Sequence, residues 1–201
     1  MTRLTEIGFQ IPNAIEDYAE SYAADTDMAA RMRFVVDASQ LNIDRQFGAP
    51  FAAAIIDRHS GQLVALGTNL VTSENLSILH AEMVAIALAQ RRLGTFDLGD
   101  PQLPGYDLYT SCEPCTMCLG AIHWSGVRRV IAAARDSDAA AIGFDEGPKP
   151  ANWAAALRER GLEVVIDVER QRACRVLKNF QDSDCDTYRA MRNLPCDHND
   201  H

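Results

Sequence analysis

The sequence lacks any long apolar run. No stretch of its 201 residues approaches the roughly 18 to 20 consecutive apolar residues that a membrane helix requires, so no membrane association is expected. An apolar leader is missing as well. The opening MTRLTEIGFQIPNAIEDYAE carries glutamates where a secretion signal has its hydrophobic region, and a cytoplasmic location is the simplest expectation. Neither an internal repeat nor a low-complexity linker interrupts the chain, which argues against a repeat array. Basic charge is scarce. Lys and Arg number 19 against 28 Asp and Glu, a formal net charge of −9, whereas a nucleic-acid binder presents a basic surface to phosphates. The pairs Arg91-Arg92 and Arg128-Arg129 are isolated and diluted by acids, so a small neutral or cationic substrate is expected and no nucleic acid.

What is present is an ordinary globular balance, 47% hydrophobic and 23% charged residues, at a length that suits one domain with a core of normal size. Residues 1–181 are expected to form that domain, with a helical N-terminal extension at 12–45 packed on it and a polar, acidic tail at 182–201. Of the six cysteines, Cys112, Cys115 and Cys118 crowd together while Cys174, Cys185 and Cys196 are scattered. Such a cluster points to metal binding or catalysis more than to a disulfide framework.

Two helices are predicted over 12–45. Asn13 caps the first, after Pro12, and Asp25 or Asp27 the second, in which Met28, Met32, Val35, Val36 and Leu41 keep a helical period. FAAAIID (51–57) and QLVALGTN (62–69) read as strands joined by the turn RHSG. Beyond the polar loop VTSENLSIL, a helix runs from His80 to Arg92 and stops at Gly94. YDLYTS (106–111) is the next strand, and Pro114 opens a helix that reaches Trp124. RRVIAAA (128–134) and LEVVIDV (162–168) are strands separated by a helical stretch at 151–160, and 170–181 is a closing helix. Strands alternating with helices predict an α/β fold, a three-layer α-β-α sandwich around a central mixed five-stranded sheet. The long connection between the last two strands favours parallel pairing there.

His80, Cys115 and Cys118 carry the chemistry. Cys115-Thr-Met-Cys118 falls at a helix start, a spacing that lets both sulfurs face one point, and the positive end of the helix favours thiolate. Two thiolates and an imidazole suit zinc, one ion per chain, with the fourth position left to water. By themselves these residues leave other readings open. A CxxC can be a redox pair, a histidine at a helix start a cap, and Cys112 can complete a closed structural site. Glu82 narrows the choice. In His80-Ala81-Glu82 a carboxylate follows two residues after the ligand, where a structural site has no use for it and a hydrolytic site needs a base. H-x-E followed by P-C-x-x-C is the signature of the zinc deaminases. The rival from another class, a non-catalytic zinc-stabilised scaffold, predicts a closed metal site and a dispensable Glu82.

From Ala49 to Gly147 the chain resembles the cytidine/deoxycytidylate deaminase superfamily, and within it the bacterial guanine deaminase branch. The resemblance lies in PFAAAIID, GTN ending at Asn69, HAE (80–82), YTSCEPCTMCLGAIHW (109–124) and ARDSDAAAIGFDE (134–146). The first four are shared in part with tRNA adenosine deaminases; the last is closer to guanine deaminases. The resemblance implies hydrolysis of guanine to xanthine and ammonia. It also implies His80, Cys115 and Cys118 as zinc ligands and Glu82 as the proton carrier. Glu146 is then the carboxylate that holds the purine, and a candidate second proton carrier. Asn69 is a donor to the base or a turn residue, and Ala81 lies beside the substrate. Phe51 and Trp124 stack on the ring or belong to the core. A homodimer whose neighbouring subunits help build the site is implied too. An s-triazine such as ammeline, which mimics the six-membered ring of guanine, and a tRNA adenosine are the alternative substrates. Relatives of this branch are expected to lack the two N-terminal helices and to close the site with an aromatic C-terminal tail. This chain ends CDHNDH, and its RQRACRVLKNF segment resembles the closing helix of the tRNA-editing relatives.

Overall fold

The computed structural model describes residues 7–183. The chain begins with α1 (Asn13–Glu20) and α2 (Met28–Asp44). Asp27 caps α2, its carboxylate accepting from the amides of Ala29 and Ala30 at 3.2 and 3.1 Å. α1 departs from expectation: Pro12 is its cap, and Asn13 already belongs to the helix without a side-chain capping bond. The Pro12 carbonyl itself takes the amides of Ile15 and Glu16, which leaves Asn13 no capping position to fill.

The remaining elements follow in the order β1 (Ala52–Asp57), β2 (Leu63–Thr68), α3 (Val71–Glu74), α4 (Ala81–Leu93), β3 (Tyr106–Cys112), α5 (Thr116–Ser125), β4 (Arg129–Ala134), α6 (Asp136–Ala141), α7 (Trp153–Arg158), β5 (Glu163–Val165) and α8 (Arg170–Gln181). Four of these differ from the pattern read in the sequence. α3 is a short helix inside the stretch read as the polar loop VTSENLSIL. Pro114 stands before the α5 cap, which is Cys115 in an extended conformation, so the proline precedes the helix rather than opening it. β5 is cut short because Asp167 and Glu169 adopt left-handed backbone (φ 66° and 57°), which ends strand pairing. α6 is an added turn, started where the Asp138 carboxylate accepts from the Arg135 amide at 2.8 Å.

The five strands form one sheet in the order β2-β1-β3-β4-β5, with β1 antiparallel to both neighbours and β3, β4 and β5 mutually parallel. It is the mixed sheet that the alternation of elements predicts. α1, α2, α6 and α8 cover one face, where Ile15, Met32, Val35, Val36 and Phe180 pack on Tyr109 and Ile131. α4, α5 and α7 cover the other, where Ala85, Ile122 and Trp153 meet Ile55, Leu108 and Val130. Met32, Val35 and Val36 are wholly buried, each burial worth roughly 1.5–3 kcal/mol, so α2 is part of a core layer. Gly67 lets β2 and α4 approach closely; a Cβ there would lie 2.5 Å from the Ala81 carbonyl oxygen. That contact seats His80-Ala81-Glu82 against the sheet. The carboxyl ends of the parallel strands β3 and β4 lead into Cys112–Cys115 and the 135–147 segment, the usual place for a site in an open α/β sheet. No helix among the described residues is long and apolar enough to cross a membrane. Of the tail expected at 182–201, everything beyond Ser183 lies outside the described residues.

Candidate active site

His80 caps α4, Cys115 caps α5, and Cys118 sits in the first turn of α5. Nδ1 of His80 lies 3.4 Å from Cys115 Sγ and 3.7 Å from Cys118 Sγ, and the three donor atoms fall within 4.8 Å of one another. Tetrahedral zinc with its usual Zn–N and Zn–S bond lengths separates such ligand atoms by about 3.5 to 3.8 Å, so the set fits the ion. Cys112 stands apart from it. Its thiol donates to the Arg135 carbonyl at 3.7 Å, and burial pushes its pKa well above the usual range. The three-ligand arrangement therefore leaves a coordination position open.

The electrostatics favour a cation at this point. Hydrogen bonding from Cys118, aided by His80, draws the Cys115 thiol down to about 4 against the effect of burial. Cys118 moves the opposite way, held up by its bond to Cys115 and by burial. For His80, burial opposes protonation, but the Cys115 sulfur and the Glu82 and Glu146 carboxylates outweigh it and raise the pKa. Glu82 is buried on α4, and desolvation lifts its carboxyl above the ordinary value. Both its oxygens are engaged. Thr110 Oγ1 donates to Oε1 at 3.1 Å and Cys118 Sγ to Oε2 at 3.3 Å.

A cavity of about 460 Å3 opens above this cluster, and His80, Ala81, Glu82, Asn69, Phe51 and Glu146 all line it. Asn69 is both a turn residue and a cavity residue. Its Oδ1 accepts from the Val71 amide at 3.3 Å and its backbone N–H donates to Phe51 at 3.0 Å, which leaves Nδ2 as the donor for a ligand. Glu146 lies between α6 and α7, its carbonyl taking the Thr116 amide at 3.0 Å and hydroxyl at 3.1 Å. Burial, then the negative charge of Cys115, Asp136 and Glu82, pushes its carboxyl up to about 8. Trp124 is not brought to this cavity and is not core either; on α5 it is 82% exposed, its ring against His123.

Several participants escape the sequence reading. Phe144 meets Phe51 edge-to-face at 4.8 Å and completes an aromatic wall. Its signal is its place inside the GFDE run. Thr110 is marked by strand alternation, which puts it on the α4 face beside Glu82. Asn42 donates to the Asn69 carbonyl from α2, and nothing local in the sequence announces it.

Residues 26–134 match the zinc-binding region of the cytidine and deoxycytidylate deaminases. The guanine deaminase of Bacillus subtilis is 44% identical over 104 residues, 52% of this chain and 62% of that protein. The match thus spans about three-fifths of that curated relative's length. Among solved structures, the guanine deaminase of Nitrosomonas europaea is 40% identical with a TM-score of 0.86, covering 91% of this chain and 100% of that one. A related variant in complex with 8-azaguanine is 41% identical with a TM-score of 0.86, covering 89% of this chain and 99% of that one. Coverage of 91% cannot leave both α1 and α2 unmatched, so the expectation that relatives of this branch lack these helices is corrected. On the matched region and the His80, Cys115 and Cys118 set, the chain belongs to the cytidine and deoxycytidylate deaminase zinc-binding family.

Proposed function

We propose that the chain is a zinc-dependent hydrolase that converts guanine and water to xanthine and ammonia. One observation carries the reading. A single cavity reaches His80 and Cys115 of the three-ligand set fitting zinc, with Cys118 buried behind them, and joins them to the Glu82 carboxylate and two recognition groups of opposite polarity, Asn69 Nδ2 and Glu146. Its volume of about 460 Å3 lies in the small-molecule range of about 300–1,000 Å3. The relatives named as guanine deaminases, and the 8-azaguanine bound by one of the related structures, support guanine in particular.

Zinc bound at His80, Cys115 and Cys118 supplies a Lewis acid that makes water a nucleophile at neutral pH. The rest falls to the chain. Phe51 and Phe144 flank the ring. Asn69 Nδ2 donates to the guanine carbonyl or a ring nitrogen, and Glu146 accepts from guanine N–H groups, an edge that adenine does not present. Thr110 holds Oε1 of Glu82 in place. Once Cys118 gives up its thiol proton as a ligand, Oε2 is free to take one from water. Glu82 then passes that proton to N3 as the water oxygen bonds to C2, takes the remaining proton from the hydroxyl so added, and hands it to the amine, so that the C2–N bond breaks, the C2 carbonyl of xanthine forms and ammonia leaves. Glu146, facing the same cavity, is the second group able to carry a proton to that amine.

A homodimer is part of this reading. It rests on the resemblance to this family, and Trp124, 82% exposed on α5, is available to a second copy of the chain. A cytoplasmic location is supported by free thiols at Cys112, Cys115, Cys118 and Cys174, which an oxidising compartment disfavours. The acidic balance, with Glu82, Glu113, Asp145 and Glu146 around one cavity, argues for a free base over a tRNA loop. The test is ammonia release from guanine, adenine, cytosine, cytidine, ammeline and a tRNA anticodon stem-loop, each incubated with the zinc-loaded protein. Ammonia and xanthine from guanine are expected; no release from guanine overturns the reading.

A further inference from the structure

Lys149 is one of two lysines among 19 basic residues, and its side chain is only 5% exposed. Its Nζ lies 2.5 Å from Asp136 Oδ1 and 3.8 Å from Glu113 Oε2, with the Trp153 ring centroid at 4.7 Å. These partners come from three places around the site. Glu113 precedes the Cys115 ligand, Asp136 opens α6, and Trp153 opens α7. Lys149 itself does not line the cavity, but Glu146, three residues earlier, does.

The chain between α6 and α7 has no regular secondary structure to fix Glu146. Two of its ties lie within the loop, and α5 supplies the other through Thr116. Asp145 Oδ1 accepts from the Gly147 amide at 2.8 Å, the Gly147 carbonyl takes the Lys149 amide at 2.7 Å, and Thr116 holds the Glu146 carbonyl. Gly147, itself a cavity residue, has φ +71°, a left-handed bend between Glu146 and Lys149 that favours glycine. A buried ammonium between two carboxylates resists displacement, because withdrawing it leaves uncompensated buried charge. The ammonium over the Trp153 ring adds a cation–π contact that a freely hydrated lysine would not make.

We propose that Lys149 is a positioning residue for Glu146: its ammonium, pinned between Asp136 and Glu113 and laid over Trp153, fixes the 144–149 loop so that Glu146 and Phe144 face the base. The proposal rests on the reading of Glu146 as the group that holds the base. It gives the Lys149, Asp136 and Glu113 cluster a role in substrate binding that is separate from the metal ligands.

The test uses the zinc-loaded full chain and its Lys149→Met, Lys149→Arg, Glu146→Gln and Lys149→Met/Glu146→Gln variants. Lys149→Met keeps an unbranched side chain of similar length and removes the charge, and with it both the ion pairs and the cation–π contact. Mispositioning Glu146 is expected to lower kcat/KM for guanine by about 10- to 100-fold, carried mainly by KM, at unchanged zinc content. Lys149→Arg should recover part of the loss, since the charge returns on a wider, planar group. The double variant should be no worse than Glu146→Gln, and the Gly147 and Lys149 amides should exchange hydrogen faster in Lys149→Met. A wild-type KM in Lys149→Met, or effects of Lys149→Met and Glu146→Gln that multiply, overturns the proposal. If Lys149→Met fails to fold, Asp136→Asn takes its place, and an unchanged KM there overturns it equally. Should the wild-type protein release no ammonia from guanine, the functional reading falls. Amide exchange then decides the loop anchoring alone, and unchanged protection in Lys149→Met rejects it.

Discussion

Asn42, near the end of α2, donates through one amide nitrogen to the carbonyls of Asn69 at 3.0 Å and Ala49 at 2.8 Å. It is wholly buried, and both acceptors belong to residues that line the cavity. Gly48 fits beneath them only because it has no side chain; a Cβ there would come within 2.1 Å of the Asn69 carbonyl oxygen. α2 thus holds the backbone of Asn69 at the cavity wall through one side chain, and it does more than cover the sheet.

That tether gives the first prediction. Asn42→Leu keeps the branched shape, in a somewhat larger side chain, but strands two buried carbonyls, which should destabilise the fold by about 1–3 kcal/mol. With Asn69 no longer held from behind, KM for guanine should rise more than kcat falls. Denaturant unfolding and steady-state kinetics at matched zinc content check both parts. An unchanged KM would show that α2 contributes stability alone.

Glu82 gives the second. Glu82→Gln preserves the shape and the Thr110 bond but cannot take a proton from water. Its kcat should fall by about 10²- to 10⁴-fold while zinc content is retained. Thr110→Val should cost less, because it frees the carboxylate without removing it, and Thr110→Ser should restore most of the rate. Metal analysis by mass spectrometry beside the ammonia assay separates lost catalysis from lost zinc. Zinc removal by a chelator should abolish turnover, and added zinc should return it.

The metal set is legible in the sequence because its spacing is local: one ligand and the base open α4, two ligands open α5, and each short motif carries its own geometry. Asn42 and Lys149 are not legible, since their contacts join residues far apart in the chain and only the folded sheet brings them together. Trp124 shows a different limit. Cys118 and Ile122 point inward on α5, and a residue two positions after Ile122 turns about 200° from it, onto the outer face. Helical phase was the signal that separates Trp124 from the cavity its family motif suggests. The strands follow from hydrophobic runs and α8 from Ala173, Val176, Leu177 and Phe180 at helical spacing, whereas α3 and α6 are short helices in polar or alanine-rich stretches with no apolar period to mark them.

The raised carboxyl of Glu146 sets the third prediction. Its pKa stands at about 8 in the folded chain, against the ordinary glutamate value of 4.5 that an unfolded chain approximates. Between those values the native state holds a proton that the unfolded state has lost, so stability declines as pH rises through this window. Below it both states are protonated and the difference vanishes. Glu146→Gln should flatten the dependence and be more stable than the parent toward pH 8. Thermal unfolding of the metal-free proteins across the window measures this directly, and parallel curves for parent and variant would refute it.

Trp124 carries the last. Since 82% of its surface is exposed on α5 and it makes no part of its own chain's cavity, the proposed homodimer is the natural cover for the indole. Buried aromatic anchors of this kind dominate interface energetics, and a charge in their place is left unpaired on association. Trp124→Glu should therefore sediment as a monomer at concentrations where the parent is a dimer, with its thermal stability near that of an isolated chain. Guanine turnover measured on both sides of the monomer–dimer transition then decides what the partner contributes. If activity follows the dimer fraction, the second copy completes the cavity. If Trp124→Glu is monomeric and fully active, the indole serves assembly alone, and stacking on the base falls to Phe51 and Phe144.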